Sequence, residues 1–140
     1  MLKKVYFCGS IRGGRSDRLI YEELIRHILK YAEVLTEHIG DKLVAADHKM
    51  TDQQIHDRDM DWLKESDMII AEVSQISLGV GYEIGRAIEI GIPVVCLYRK
   101  GSDWQLSAMI SGCSEIKTFH YSNLDEAKEI LNKILKRQNP

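Results

Sequence analysis

The sequence is poor in the features that mark disulfide-rich, metal-binding and membrane-spanning proteins. It has three cysteines, Cys8, Cys96 and Cys113, which are widely spaced and form no CxxC pair, so neither a disulfide framework nor a zinc site is predicted. The five histidines have no metal-ligand spacing, and we predict no metal. The apolar runs, such as residues 92–98, are too short to cross a bilayer. Residues 1–4 lead into a strand-like segment rather than a signal peptide. We therefore expect a cytoplasmic protein with no membrane partner.

The sequence also has little net charge and few prolines. Nineteen Lys and Arg against twenty-one Asp and Glu leave a net charge of -2, which argues against a broad basic surface for a nucleic acid polymer. Only two prolines and no low-complexity stretch occur in 140 residues, so no linker is evident and we expect one domain over residues 1–140. A hydrophobic content of 44% is enough for a core and excludes intrinsic disorder.

Short apolar runs alternate with helical patterns along the chain. Five runs rich in β-branched residues predict buried strands at 5–8, 34–35, 68–73, 94–98 and 116–119. Between them, apolar stripes predict amphipathic helices, and a capping box at 51–54 predicts a helix that ends near residue 66. Gly91-Ile92-Pro93 predicts the end of a further helix. The alternation predicts an α/β fold with about five parallel strands and helices on both faces.

Parallel sheets of this kind bind ligands outside the carboxyl ends of their strands. That rule selects three loops, at 9–16, 74–79 and 99–105. The loop 9–16, Gly-Ser-Ile-Arg-Gly-Gly-Arg-Ser, combines glycines with hydroxyl and guanidinium groups that suit a phosphate. It is not a Walker A motif. The alternative is a flexible turn with solvated arginines.

The segment 79–85, Gly-Val-Gly-Tyr-Glu-Ile-Gly, follows the third strand and superficially suggests a dinucleotide fingerprint, but its details argue against one. We expect Glu83 in the first turn of the helix that follows the third strand, where a carboxylate would repel a pyrophosphate. The helix N-terminus would stabilise that carboxylate as an anion. An ionised Glu83 in a cleft is a candidate nucleophile. The alternative is a surface residue that complements the helix dipole.

A second carboxylate, Asp59, lies within an apolar stripe, four residues after Ile55 and four before Leu63. It faces either the core, at a heavy desolvation cost, or a cleft, and we favour the cleft. Two carboxylates in one pocket have their pKa values pushed apart. That pairing is typical of retaining glycosidic cleavage, in which one carboxylate captures the sugar and water later releases it.

Other candidates have ordinary structural explanations. Tyr6 is either a core aromatic or a residue whose hydroxyl meets a catalytic carboxylate at the end of the first strand. His38 is either a loop histidine or a catalyst. Three further aromatic residues are interpreted as packing residues: Trp62, Trp104 and Tyr121.

Several segments of the sequence match a known family. The matching segments are Tyr6-Phe7-Cys8-Gly9-Ser10-Ile11-Arg12-Gly13-Gly14, Leu35-Thr36-Glu37-His38, Asp59 with Trp62-Leu63, Ala71-Glu72-Val73, Ser77-Leu78-Gly79-Val80-Gly81-Tyr82-Glu83-Ile84-Gly85-Arg86-Ala87 and Leu106-Ser107-Ala108-Met109-Ile110. They closely resemble the 2'-deoxynucleoside 5'-monophosphate N-glycosidases of the nucleoside 2-deoxyribosyltransferase superfamily. The resemblance extends from Val5 to about Ile110.

The resemblance implies a Rossmann-like, flavodoxin-type domain that needs no cofactor. It also implies a homodimer in which the partner subunit completes each active site. Carried over by position, Glu83 is the nucleophile that attacks the anomeric carbon. Asp59 is the acid or leaving-group partner, and Tyr6 orients Glu83 and the sugar. A tyrosine at position 6, rather than a phenylalanine, favours deoxyribose over the ribose of a related branch that cleaves CMP-type nucleotides.

The resemblance further implies a set of residues that bind a small nucleotide substrate. They are Gly9, Ser10, Ile11, Arg12, Gly13, Gly14, His38, Ser77, Gly79, Ser107 and Met109. His38 is expected near the nucleobase, and Ser77 and Gly79 at the 5'-phosphate. Ser107 and Met109 are expected from the partner subunit. The alternatives are a deoxyribosyltransferase, a ribonucleotide N-glycosidase and a nucleotide-binding module without catalysis.

Overall fold

Within residues 2–10, 17–37 and 49–138, which the computed structural model describes, five parallel strands form one sheet. The strands are β1 (Lys4–Cys8), β2 (Glu33–Val34), β3 (Met68–Glu72), β4 (Val94–Arg99) and β5 (Ile116–Tyr121). Each lies at one of the predicted apolar runs. Their order is β2-β1-β3-β4-β5, and all four neighbouring pairs are parallel. The predicted α/β fold is confirmed.

The helices are α1 (Arg18–Ile28), α2 (Asp52–Glu65), α3 (Leu78–Glu89), α4 (Ala108–Ser111) and α5 (Leu124–Gln138). The predicted capping box is present, since Thr51 Oγ1 accepts from the Gln54 backbone N–H at 3.2 Å and the Thr51 N–H donates to Gln54 Oε1 at 2.9 Å. Gly91 has a φ of 81° after α3, as expected of a helix-ending glycine. The sequence did not predict α4, because four residues are too few for an apolar period.

Two hydrophobic clusters cover the two faces of the sheet. Val5 and Phe7 point into the cluster beneath α1 and α5, whereas Tyr6 and Cys8 point into the cluster beneath α2 and α3. β3 is buried along its whole length. Burial on both faces explains why these strands are continuous apolar runs rather than alternating ones.

The strand order creates a crevice between β1 and β3. From β1 the chain passes through α1 to β2 on one side, and β3 then pairs with the other side of β1. Ligands of such sheets bind where the strand order reverses in this way. The order is that of flavodoxin-like folds. Among the helices of the described residues, none is long and apolar enough to cross a bilayer.

Candidate active site

Glu83 lies in the second turn of α3, six residues after the N-cap Ser77, whose Oγ accepts from the Val80 N–H at 3.3 Å. The prediction that it lies in the first turn is therefore wrong. The helix begins earlier than expected because Ser77 supplies the cap immediately after the loop that leaves β3. Since the field of a helix terminus decays within the first turn, the N-terminus of α3 contributes little to the charge of Glu83.

Two side chains of β1, those of Tyr6 and Cys8, approach the Glu83 carboxylate. The thiol of Cys8 lies 3.8 Å from Oε2, and the hydroxyl of Tyr6 is hydrogen bonded to the carboxylate. Tyr6 and Cys8 are both fully buried and face the same side of the sheet. Gly79 lies one turn earlier on α3, where an added Cβ would be 3.9 Å from Oε1 of Glu83. The structure thus brings Tyr6, Gly79 and Glu83 together.

The Glu83 carboxylate is not the stable anion that the sequence predicted. Burial raises the pKa of Glu83 to about 7, the nearby Asp59 raises it further, and hydrogen bonds from Tyr6 and Cys8 oppose the shift. Both charge states are therefore populated near neutral pH. Burial, followed by the charge of Glu83, raises the pKa of Tyr6 and that of Cys8 well above their ordinary values. The two groups consequently stay protonated and act as donors.

Asp59 reaches the same pocket from α2. It is partly buried, and its charge acts on Glu83, Tyr6 and Cys8. The Arg58 guanidinium donates to Oδ1 of Asp59 from Nε at 3.0 Å and from Nη2 at 2.8 Å. The position of Asp59 agrees with the predicted cleft rather than the core.

Arg58 was missed by the sequence reasoning. Its guanidinium lies 4.7 Å from the ring centroid of Trp62, one helical turn further along α2. An Arg and a Trp four residues apart on a helix are spaced for such a cation–π contact, and that spacing is the signal that could have identified Arg58. The contact fixes the guanidinium beside Asp59.

The loop after β1 begins with two close contacts. An added Cβ at Gly9 would lie 2.8 Å from the ring of Tyr21, so this position has no room for a side chain. The Ser10 N–H donates to the Tyr21 hydroxyl at 3.0 Å, and the buried Ser10 Oγ has no hydrogen-bond partner among the described residues. Five other residues that were predicted to bind the nucleotide lie outside the described residues: Ile11, Arg12, Gly13, Gly14 and His38.

Ser77, Ser107 and Met109 line a groove of about 500 Å³ between α3 and α4. The groove also includes apolar side chains, and two of its lining residues, Leu78 and Met109, are 93% and 82% exposed. Ser107 caps α4 by accepting from the Met109 N–H at 3.2 Å. Within one protomer, Ser107 and Met109 thus border the groove, while Tyr6 and Glu83 belong to the pocket above β1.

Among the described residues, no group of three or more His, Cys, Asp or Glu side chains is arranged to hold a metal ion. The polar groups of the pocket are instead two carboxylates, a phenol, a thiol and a guanidinium. This set suits acid–base and nucleophilic chemistry on an organic substrate.

A family model described as nucleoside 2-deoxyribosyltransferase matches residues 5–130. A protein of Tetraodon nigroviridis named 5-hydroxymethyl-dUMP N-hydrolase is 45% identical over 140 residues, with 96% of this chain and 99% of that protein covered. A mouse protein of the same name is 45% identical over 136 residues, with 95% of this chain and 78% of the mouse protein covered.

Solved structures with the same architecture are more distant in sequence. A CMP N-glycosidase from Clostridium botulinum superposes with a TM-score of 0.66 at 23% identity, over 94% of this chain and 99% of that chain. A conserved protein from Enterococcus faecalis gives a TM-score of 0.60 at 24% identity, over 99% of each chain. At these identities the likeness supports the Rossmann-like fold alone.

Proposed function

The chain belongs to the nucleoside 2-deoxyribosyltransferase family, and we propose that it hydrolyses the N-glycosidic bond of 2'-deoxynucleoside 5'-monophosphates. The products are a free nucleobase and 2-deoxyribose 5-phosphate. The observation that carries the proposal is the buried Glu83 carboxylate in contact with Tyr6 and Cys8, with Asp59 beside it. The names of two relatives, both N-hydrolases of a deoxynucleotide, agree with this reaction.

The proposed reaction has two steps. In the first, an ionised Glu83 oxygen bonds to C1' of the sugar, and the C1'–N bond breaks with its electron pair going to the base. The base nitrogen takes a proton from water. In the second, water attacks C1', the ester bond to Glu83 breaks with its electron pair going to the carboxylate, and the proton released by the attacking water neutralises the hydroxide left by the first step. Water is the only co-substrate, and no cofactor is required.

Tyr6 and Asp59 have distinct roles in this scheme. The Tyr6 hydroxyl orients the Glu83 carboxylate and faces the sugar. The ion pair with Arg58 favours the charged form of Asp59. Of the two roles expected for Asp59, this pairing argues against the acid, since a charged carboxylate has no proton to give. As the leaving-group partner, Asp59 accepts a hydrogen bond from the departing base, and its charge stabilises positive charge on the sugar ring.

A 5'-phosphate fits the start of α3. Ser77 and Gly79 lie at the N-terminus of this 12-residue helix, where backbone N–H groups and the helix dipole favour an anion. Gly79 and Glu83 are separated by roughly 6 Å along the helix axis, since four residues each rise about 1.5 Å. That separation matches a deoxyribose whose C1' meets Glu83 while its phosphate meets the N-terminus. Ser10, Ile11 and Arg12 are proposed to line the nucleotide site, with His38 near the base.

We further propose that the protein is a homodimer whose partner subunit supplies Ser107 and Met109 to each site. The apolar groove between α3 and α4 supports this arrangement, because Leu78 and Met109 are among the most exposed large apolar residues of the described chain. A second copy would bury them. A cytoplasmic location remains a prediction from the sequence.

A panel of nucleotides tests the reaction. The protein is incubated with ribo- and deoxyribonucleoside monophosphates, including 5-hydroxymethyl-dUMP, and with the matched nucleosides, and the products are separated by chromatography. We expect base release from deoxynucleoside monophosphates, with 5-hydroxymethyl-dUMP included because two relatives are named for it. Glu83→Gln is the matched variant, and we expect it to lose several orders of magnitude in kcat while nucleotide binding persists.

Each alternative gives a different result in the same assay. Release from CMP but not from dCMP would identify a ribonucleotide N-glycosidase. An exchanged nucleotide on addition of a second base would identify a deoxyribosyltransferase. Saturable binding without base release would identify a binding module. Full turnover by Glu83→Gln would refute the assignment of the nucleophile.

A further inference from the structure

A buried polar network lies on the face of the sheet opposite to Glu83. Its centre is Glu72, the last residue of β3, which is 1% exposed. One oxygen of Glu72 accepts from the Ser74 N–H at 2.6 Å, and the other accepts from the Ser74 hydroxyl at 3.0 Å and from the Tyr121 hydroxyl. Sequence reasoning assigned no function to Glu72 and treated Tyr121 as a packing residue.

The network continues to the start of α1. Arg99, at the end of β4, pairs with Tyr121 in the register of β4 and β5, and it donates from Nη2 to Oδ1 of Asp17 at 3.2 Å. Its Nη1 lies 3.2 Å from Oδ2 of the same carboxylate. Asp17 is the residue that directly precedes α1. The charged groups therefore form a chain from β3 through β5 and β4 to α1.

The same network contacts two loops at the carboxyl edge of the sheet, at 74–79 and 99–105. Ser74 begins the loop that leads to Ser77. Its hydroxyl accepts from the Arg99 N–H at 2.7 Å, and its carbonyl accepts from the Ser102 hydroxyl at 2.6 Å. Glu72 thus connects the loops at 74–79 and 99–105 with the start of α1 through one set of contacts.

Stability alone does not account for this arrangement. Burial raises the pKa of Glu72, although hydrogen bonds from Tyr121 and Ser74 oppose the shift, so the carboxylate remains in an unfavourable environment. Replacing buried charged groups with apolar residues of similar volume is often neutral or stabilising. What the network adds is a fixed geometry, because each hydrogen bond constrains both the distance and the direction of a loop.

We propose that Glu72 is a positioning residue which, through Ser74, Tyr121 and the Arg99–Asp17 pair, holds the loop at 74–79, with Ser77 of the proposed phosphate site, in a fixed position relative to the start of α1. This rests on the phosphate site of the proposed function. Glu72 itself does not touch the nucleotide. Glu72 increases the affinity for the phosphate, whereas Tyr6, Cys8 and Glu83 on the other face of the sheet determine the rate of the chemical step.

Tyr121→Phe tests this role, because it removes one hydroxyl from Glu72 and keeps the aromatic ring. We expect the KM for the nucleotide and the Kd for inorganic phosphate, measured by calorimetry, each to rise about tenfold, while kcat stays within about threefold of the wild type. Arg99→Lys, which keeps the charge but not the planar guanidinium that donates to Asp17, is expected to give a smaller loss of the same kind. It also serves if Tyr121→Phe folds poorly.

Tyr31→Phe is the matched control. It removes a hydroxyl that donates to Asn132 Oδ1 at 2.7 Å, just before β2 and away from the carboxyl edge of the sheet. We expect its KM and its phosphate affinity to be unchanged. The proposal is overturned if Tyr121→Phe lowers only the melting temperature, if it lowers kcat with KM unchanged, or if it weakens phosphate binding no more than Tyr31→Phe does.

The outcome is separable from that of the proposed function. If the wild type releases base but Tyr121→Phe keeps its KM and its phosphate affinity, the role of Glu72 fails and the enzyme assignment stands. If the wild type releases no base but binds inorganic phosphate more tightly than Tyr121→Phe does, the enzyme assignment fails and the role of Glu72 stands. A wild-type protein that binds no phosphate overturns the role of Glu72.

Discussion

The Cys8 thiol lies 3.8 Å from Oε2 of Glu83, so a residue at the carboxyl end of β1 contacts the carboxylate of α3 directly. Tyr6, two residues earlier on the same face, approaches it as well. Both side chains extend from a strand that is paired on two sides. The candidate nucleophile is therefore held against a rigid part of the sheet, and its charge state depends on named neighbours.

The activity should depend on pH through Glu83. Burial and Asp59 raise the pKa of Glu83 to about 7, and only the ionised form can attack C1'. We therefore expect kcat/KM to fall as the pH drops below about 7, with the acid limb recorded from about pH 5 to about pH 9. If the acid limb of kcat/KM were centred near the ordinary pKa of glutamate, burial would not raise the pKa of Glu83.

Tyr6→Phe should move that limb to higher pH. The hydrogen bond from the Tyr6 hydroxyl lowers the pKa of Glu83, so its loss leaves the effects of burial and Asp59 less opposed. We also expect a lower kcat, by about tenfold to a hundredfold, because the carboxylate loses its orientation. Tyr31→Phe, whose hydroxyl contacts Asn132, should leave the limb in place.

Asp59→Asn should move the limb in the opposite direction. The charge of Asp59 raises the pKa of Glu83, and asparagine keeps the shape without the charge. The pH–rate profile should therefore shift to lower pH while kcat falls. Opposite shifts in Asp59→Asn and Tyr6→Phe would separate an electrostatic effect from general damage to the site, and shifts of the same sign would contradict it.

Glu83→Gln should make the folded protein more stable at alkaline pH. The pKa of Glu83 is raised in the folded state, so the wild type loses stability as the pH rises from about 4.5 to above 7 and the buried group ionises. At pH 8 we expect the free energy of unfolding of Glu83→Gln, measured with denaturant, to exceed that of the wild type by about 1 to 3 kcal/mol. At pH 5 we expect the two free energies to differ little. A difference that did not change with pH would show that ionisation of Glu83 is not responsible.

Mixing two inactive variants tests the composite site. In the proposed dimer, Glu83→Gln lacks the nucleophile, and Ser107→Asp places a charge that repels the phosphate in the partner's site. In a mixed dimer, one of the two sites contains both native residues. We expect an equal mixture to recover about one quarter of the wild-type activity, because half of the dimers are mixed. No recovery, after exchange of subunits is verified by mass spectrometry, would place Ser107 in its own subunit's site.

Local patterns were sufficient to predict the strands and most helices. The five apolar runs are short and β-branched, and the capping box at Thr51 depends on residues only three apart. The position of Glu83 within α3 was not predictable in the same way. Ser74 and Ser77 both follow β3, and only the fold shows that Ser77 caps the helix while Ser74 binds Glu72.

The network around Glu72 depends on contacts between residues that are far apart in the chain. Tyr121 is 49 residues from Glu72, and Arg99 is 82 residues from Asp17. Neither pair has a spacing that a periodic pattern could detect. A charged residue at the end of a buried strand is the one local signal, and it gives no indication of the partner. The convergence of Tyr6, Asp59 and Glu83 was anticipated from the family resemblance, and the carboxylate of Asp59 within an apolar stripe was a local signal for it.

Ala71 and Glu72 are adjacent in β3 but belong to opposite faces of the sheet, since Ala71 packs beneath α2 and α3 and Glu72 binds Tyr121 on the other side. The backbone of one strand thereby insulates two tasks from each other. If the proposed roles hold, substitutions around Tyr121 alter the affinity for an anionic substrate and leave the residues of the chemical step unchanged. Affinity and turnover could then be engineered separately.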